Sequence, residues 1–195
     1  MATYDPRDKY YRKAREQGLP SRAAFKIEEL LARIKLPPDA RIVDLGCAPG
    51  GWLAILASKF PRGRIIGIDL AACRNFGAAV ETMVADIRDA PLPDTIKEKL
   101  GRPADLVTSD LAPKLTGIRA HDDARFEELV DAALTIASRT LRHDGAMIAK
   151  LFMSGAFKDI VGRFEHRFAK ADVTKVKATR PGSSELYMIA RGFRG

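Results

Sequence analysis

Apolar residues fall along this chain in two rhythms. Between Arg22 and Arg33 they recur at Ala24, Phe25, Ile27, Leu30 and Leu31, the one-sided spacing of an amphipathic helix, with Ser21 placed to cap it. Pro37-Pro38 ends that pattern. Short apolar runs then appear at Arg41–Leu45, Arg64–Leu70, Thr82–Asp86, Ala104–Asp110 and Ala146–Phe152, and each is expected to be a strand. Helical stretches separate them at Trp52–Phe60, Asp94–Leu100 and Asp122–Leu141, the last opened by Asp122 and Asp123 and stopped near Gly145. A helix at Phe157–Phe168 follows, then strands at Val173–Lys177 and Glu185–Ala190. The turn-rich Arg180-Pro-Gly-Ser-Ser joins that pair, which reads as an antiparallel hairpin on the sheet edge.

Strands alternating with helices predict an α/β fold built on a mostly parallel sheet. With no repeat, linker or low-complexity tract, the expectation is one domain over residues 1–195. A basic segment and helix occupy residues 1–35, and the core begins near residue 40.

Composition narrows the function classes. The chain has 46% hydrophobic and 30% charged residues, the balance of a soluble globular protein. No apolar run approaches the ~20 residues that span a bilayer, and Met1 to Tyr11 are too polar for a secretory signal. A cytoplasmic protein without membrane contact is expected, with nothing demanding more than a monomer. Cys47 and Cys73 form no C-x-x-C pair and read as two reduced thiols. His121, His143 and His166 are scattered, so no metal site is expected. The formal net charge is +8, and Lys158 to Gly195 holds nine Lys/Arg against four Asp/Glu. That excess makes a polyanionic partner plausible.

The densest motif is Asp44-Leu-Gly-Cys-Ala-Pro-Gly-Gly-Trp52, between the first strand and the helix after it. Gly46, Gly50 and Gly51 permit close backbone approach at the strand ends where open α/β sheets bind ligands. Asp69 closes the second strand, where a carboxylate meets ribose hydroxyls in nucleoside-binding folds, and Asp86 ends the third, within reach of an adenine edge. With Asp110, acids recur at four strand ends. The loop is neither G-x-G-x-x-G nor G-x-x-x-x-G-K-[ST], which weakens a dinucleotide or a nucleoside triphosphate. S-adenosylmethionine carries no phosphate and is cationic, so carboxylates suit it.

Six segments occur in a familiar order: Asp8-Lys-Tyr-Tyr, Gly18-Leu-Pro-Ser-Arg-Ala-Ala-Phe-Lys26, the glycine motif through Trp52, Ser109-Asp-Leu-Ala-Pro113, Ala149-Lys-Leu-Phe152 and Ser183-Ser-Glu-Leu-Tyr187. Together they resemble the FtsJ/RlmE family of ribosomal RNA ribose methyltransferases over nearly the whole chain. The resemblance implies a Rossmann-like class I S-adenosylmethionine-dependent methyltransferase fold with a seven-stranded sheet and helices on both faces. It implies a catalytic set at Lys26, Asp110, Lys150 and Glu185, with cofactor positions at Gly50, Trp52, Asp69, Asp86 and Asp110; Asp44, Gly46, Pro49 and Gly51 join them from the same loop. The implied substrate is a uridine of large-subunit ribosomal RNA in assembled particles. Lys114, Met153-Ser154 and the short segment before Glu185 depart from the usual family pattern and bear on the RNA contacts.

The chemistry suits these residues. Methyl transfer from a sulfonium needs alignment, and holding both reactants can supply ~7–11 kcal/mol of the barrier. A ribose hydroxyl must also lose its proton. Lys150, which interrupts the apolar run M-I-A-K-L-F, is the candidate base; steering the hydroxyl lone pair is its alternative role, and a structural ion pair with Asp110 the plainer one. RNA would be held by cations from both chain ends, Lys9, Arg12, Lys13, Arg15 and Arg22 preceding the sheet and Lys175, Lys177, Arg180 and Arg191 following it, with Tyr10 and Tyr11 able to stack or to pack. Rival readings are a transfer-RNA ribose methyltransferase, an NAD-dependent oxidoreductase using Asp69, and an inert RNA-binding module on the same scaffold.

Overall fold

A computed structural model of the chain describes residues 9–180 and 182–195. Helices α1 (Lys9–Glu16) and α2 (Ala23–Leu31) precede an alternating series: β1 (Arg41–Leu45), α3 (Gly51–Lys59), β2 (Arg64–Asp69), β3 (Val80–Val84), α4 (Leu92–Leu100), β4 (Ala104–Ser109), α5 (Arg119–Thr140) and β5 (Leu141–Phe152). Helix α6 (Phe157–Arg167) and strands β6 (Phe168–Thr174) and β7 (Glu185–Phe193) close the chain. The seven strands form one sheet in the order β3-β2-β1-β4-β5-β7-β6. The first five run parallel, and β7 is antiparallel to both β5 and β6.

Period-two alternation sends each strand's side chains to two separate cores. Val43, Leu45, Ile66, Ile68 and Val107 face α4, α5 and α6. Ile42, Ile65, Leu106, Ile148 and Ile189 face α2 and α3. Helices therefore cover both faces, and each fully buried Ile or Leu contributes about 1.5–3 kcal/mol. Among the described residues no helix is long and apolar enough to cross a membrane.

Several boundaries differ from the pattern reading. The closing strand pair is antiparallel and lies at the sheet edge as expected, but the strand expected at Val173–Lys177 is β6 at Phe168–Thr174, which forms the edge with β7 between it and β5. Phe168 turns extended (φ −122°, ψ 150°) and is buried against Phe164 and Phe193, so it anchors a strand instead of ending a helix. Helix α5 starts at Arg119, because Asp122 spends its carboxylate on the Thr116 and Gly117 N–H groups of the preceding turn. It ends at Thr140, before Gly145, where Leu141 is already extended. Strand β3 lies two residues earlier than expected. Ser21 accepts the Ala23 N–H at 3.3 Å, although the helix itself begins after Arg22. Helix α1 was not anticipated; its Ala14 is buried beside Phe25 and Tyr10, a face too short to stand out among so many charges.

Candidate active site

Strand order reverses between β1 and β4, and ligands of open α/β sheets bind at the carboxyl ends of strands beside such a point. A cleft of about 580 Å³ opens there, lined by Gly46, Ala48, Asp69, Asp86, Asp110 and Leu111 among others. Its floor is the turn after β1. The Gly46 and Cys47 N–H groups donate to Ile68 O, and the Ala48 N–H donates to Asp69 Oδ2 at 2.9 Å. Gly46 (φ 76°) lets the turn approach the next strand: a Cβ there would stand 2.9 Å from Leu111 Cδ2 and 3.2 Å from its backbone nitrogen. Gly50 (φ 102°) precedes α3, and a Cβ there would collide with the Phe76 ring. Pro49 follows a cis peptide bond, and Gly51 is the buried first residue of α3.

The acids divide by environment. Asp69 is committed to the loop, with Oδ1 accepting the Ala71 N–H at 2.9 Å as well. Asp86, two residues past β3, is gripped by Arg88 through Nε at 2.9 Å and Nη2 at 2.5 Å. That side-chain pairing lowers its pKa to about 2. Asp44 is fully buried. Thr108 donates to its Oδ1 at 2.7 Å, while Oδ2 has no partner among the described residues. Burial, with smaller help from Asp110 and Asp69, raises its carboxyl to about 8 against the Thr108 bond. Trp52 stands away from the cleft lining. Its ring is 3% exposed and packs 6.1 Å from Tyr187, with Nε1 likewise unpartnered.

The four residues expected to do chemistry form two ion pairs. Lys150 Nζ lies 3.0 Å from Asp110 Oδ1 and donates to the Asp110 carbonyl at 2.7 Å. Lys26 Nζ donates to Glu185 Oε1 at 2.5 Å, and the Tyr187 hydroxyl donates to the same oxygen at 2.8 Å. The sheet brings the pairs together: Lys150 is registered against Tyr187, and Phe152 against Glu185. Burial raises the Asp110 carboxyl above its ordinary value, and Lys150 and Lys26 offset only part of that. Burial also acts on Glu185, but Lys26, Tyr187 and Lys150 outweigh it and hold that carboxyl below its ordinary range. All four groups thus share one electrostatic neighbourhood.

Of the cations expected at RNA, Arg12, Lys13 and Arg15 are exposed on α1. Arg22 is tied to Ala178 O and lies 5.8 Å from the Tyr10 ring, so it pins α1 and the segment after β6 together. Arg180 is half-buried. Lys175 donates to Ser183 O, and Arg191 bonds Asp172. The side chains of Lys9 and Tyr11 lie outside the described residues. Sequence reasoning missed Tyr187 as the support of Glu185, although its place two residues on, on the same strand face, was the available signal. It also missed Thr108 behind Asp44, and Arg88 and Arg125 in the cleft lining, where Lys114, expected to bear on RNA contacts, also lies.

A family profile described as FtsJ-like methyltransferase matches residues 19–193. The chain belongs to the FtsJ-like methyltransferase family. Curated members similar to it include two named ribosomal RNA large subunit methyltransferase E. The one from Anaeromyxobacter dehalogenans is 45% identical over 98% of this chain and 73% of its own length. The one from Myxococcus xanthus is 39% identical over 95% and 89%. A crystal structure of a provisionally named ribosomal RNA methyltransferase from Plasmodium falciparum superposes with a TM-score of 0.79 at 24% identity, covering 90% of this chain and 99% of that one, and shows the shared fold. As an FtsJ-like methyltransferase the chain is an enzyme with the Rossmann-like sheet expected of it, and the oxidoreductase and inert-module readings fall away.

Proposed function

We propose that this FtsJ-like methyltransferase uses S-adenosylmethionine to methylate the ribose 2′-hydroxyl of a uridine in large-subunit ribosomal RNA, with the assembled particle as substrate. The observation that carries the chemistry is the pairing of Lys150 with Asp110, which lines the cleft, beside the pairing of Lys26 with Glu185. The names of the curated relatives favour ribosomal over transfer RNA.

The donor set fits the cofactor. Asp44 Oδ2 is a buried carboxyl oxygen lacking a partner among the described residues, and a cationic amino group would satisfy it on displacing the carboxyl proton. Asp69 and Asp86 suit ribose hydroxyls and an exocyclic amine, and the Gly46–Gly51 turn with Pro49 gives backbone access. When bound, S-adenosylmethionine supplies an electrophilic methyl group. Asp110 engages Lys150 Nζ through both its carbonyl and its carboxylate, which fixes that nitrogen to hold the ribose hydroxyl; it receives the hydroxyl proton after giving one of its own to solvent. Glu185, braced by Tyr187, fixes Lys26 beside that pair. Alignment of this kind, more than any covalent step by the protein, lowers the barrier. The exposed cations of α1 would bind phosphates without reading sequence.

The test is transfer of tritiated methyl groups to hypomethylated large ribosomal subunits. Label in alkali-resistant dinucleotides is expected, because a methylated 2′-oxygen blocks hydrolysis. Label confined to transfer RNA would move the substrate, and label in no RNA would sink the proposal.

A further inference from the structure

Two groups at the glycine turn take no part in the chemistry above: the thiols of Cys47 and Cys73. They are 26 positions apart in sequence, yet the fold sets their sulfurs 3.5 Å from each other, both free. Cys47 belongs to the glycine turn, between Gly46 and the Ala48 N–H that bonds Asp69. Cys73 lies in the segment returning from β2, four residues past Asp69. That segment meets the turn a second time where Phe76 covers Gly50.

We propose that Cys47 and Cys73 form a reversible disulfide on exchange with a low-molecular-weight disulfide, and that this bond weakens cofactor binding by tying the glycine turn to the segment after Asp69. The second half rests on the cofactor reading of the cleft. Cys73, the more accessible of the two, loses its proton to solvent and attacks one sulfur of the small disulfide, releasing one small thiol. Cys47, deprotonated in turn, attacks Cys73 Sγ and releases the second. Two protein thiols are oxidised by two electrons, and one small disulfide is reduced to two thiols. Closing the sulfurs from 3.5 Å to a disulfide bond moves them together by roughly 1.5 Å. The Gly46 and Cys47 N–H groups hold Ile68 O and the Ala48 N–H holds Asp69 Oδ2 at 2.9 Å, so that shift bears directly on the bonds that set the floor of the cleft.

Burial raises the pKa of both thiols above the ordinary cysteine range, Cys47 most strongly. The pair therefore resists chance alkylation, and exchange quickens as pH rises.

The experiment uses the full chain, reduced with dithiothreitol or treated with glutathione disulfide. Non-reduced peptides are mapped by mass spectrometry, and S-adenosylhomocysteine affinity is measured by calorimetry. A single intramolecular Cys47–Cys73 link is expected, reversed by dithiothreitol, with Kd raised about tenfold or more. Cys73→Ser should bind like the reduced chain and ignore the oxidant. Thiols that stay free, or that carry only glutathione, overturn the pair; a complete cross-link with unchanged Kd overturns its effect on binding. If the reduced chain binds no S-adenosylhomocysteine, the cofactor reading fails and takes the effect on binding with it, while the peptide map still decides whether the bond forms.

Discussion

Asp44 and Asp105 sit on neighbouring strands of one sheet, 0% and 2% exposed, and live in opposite circumstances. Asp105 opens β4, at the sheet end away from the cleft. It accepts the Arg41 N–H at 2.8 Å, Arg102 Nη1 at 2.9 Å and Arg142 Nε at 2.7 Å. Burial raises its pKa, but these partners more than offset that and hold it below the ordinary value. Asp44, near the carboxyl end of β1, has Thr108 on one oxygen and nothing on the other, and burial raises its pKa to about 8. A buried acid whose lone pairs are all engaged is scaffold. One left with an unsatisfied oxygen carries a cost in stability, and here it lies beside the turn that floors the cleft. The sheet thus has a structural end and a chemical end, and substitutions should separate them.

The largest effect belongs to the chemical end. Lys150→Ala should lower turnover by about 10²–10⁴-fold while leaving S-adenosylhomocysteine affinity largely intact. Single-turnover rates and calorimetry check this, and near-normal turnover would remove Lys150 from the chemistry. Next comes Asp44→Asn. Folded Asp44 keeps its proton up to pH about 8, whereas the unfolded chain releases it near 3.8. Its contribution is therefore fully present below pH about 4 and is lost progressively as pH rises toward 8. The variant should flatten that slope and gain on the order of a few kcal/mol at pH 8 in urea titrations, while binding cofactor more weakly. A variant that loses stability at pH 8 would contradict the contrast.

Asp105→Asn tests the other end. Losing a charge-assisted set that joins Arg41, Arg102 and Arg142 should cost about 2 kcal/mol, discounted because both guanidinium groups reach solvent. The kcat of the folded fraction should not change. A fall in kcat without a fall in denaturation midpoint would make Asp105 something other than scaffold.

This division was only half legible in the chain. Strand-end acids and glycines announce the chemical end because a backbone turn and a ligand demand those residue types at those places. The four ionic residues were legible through motif order, and the fold brings them into one cluster. Asp105 carries no such mark: its partners come from residues 41, 102 and 142, and only strand pairing assembles them. The Cys47–Cys73 contact escaped for the same reason, as 25 residues, a helix and a strand intervene. Strand β6 was misplaced because an edge strand buries little, so its alternation is faint beside the helix that precedes it.

The smallest effect separates two arginines that look alike in sequence. Arg12 is exposed on α1, whereas Arg22 is hydrogen-bonded to Ala178 O and held over the Tyr10 ring. If Arg12 meets RNA phosphate, Arg12→Ala should reduce the slope of log affinity against log salt by about 1 and leave the melting temperature unchanged. Arg22→Ala should act in the reverse sense. It removes the side-chain bond to the Ala178 carbonyl, which alone costs about 1 kcal/mol, and loosens α1 from the Ala178 segment with little change in salt slope. Filter binding across a salt series, run beside thermal denaturation of both variants, distinguishes them. Equal salt slopes for the two variants would mean that Arg22 reaches RNA as well, and that anchoring and phosphate contact are not divided between these side chains.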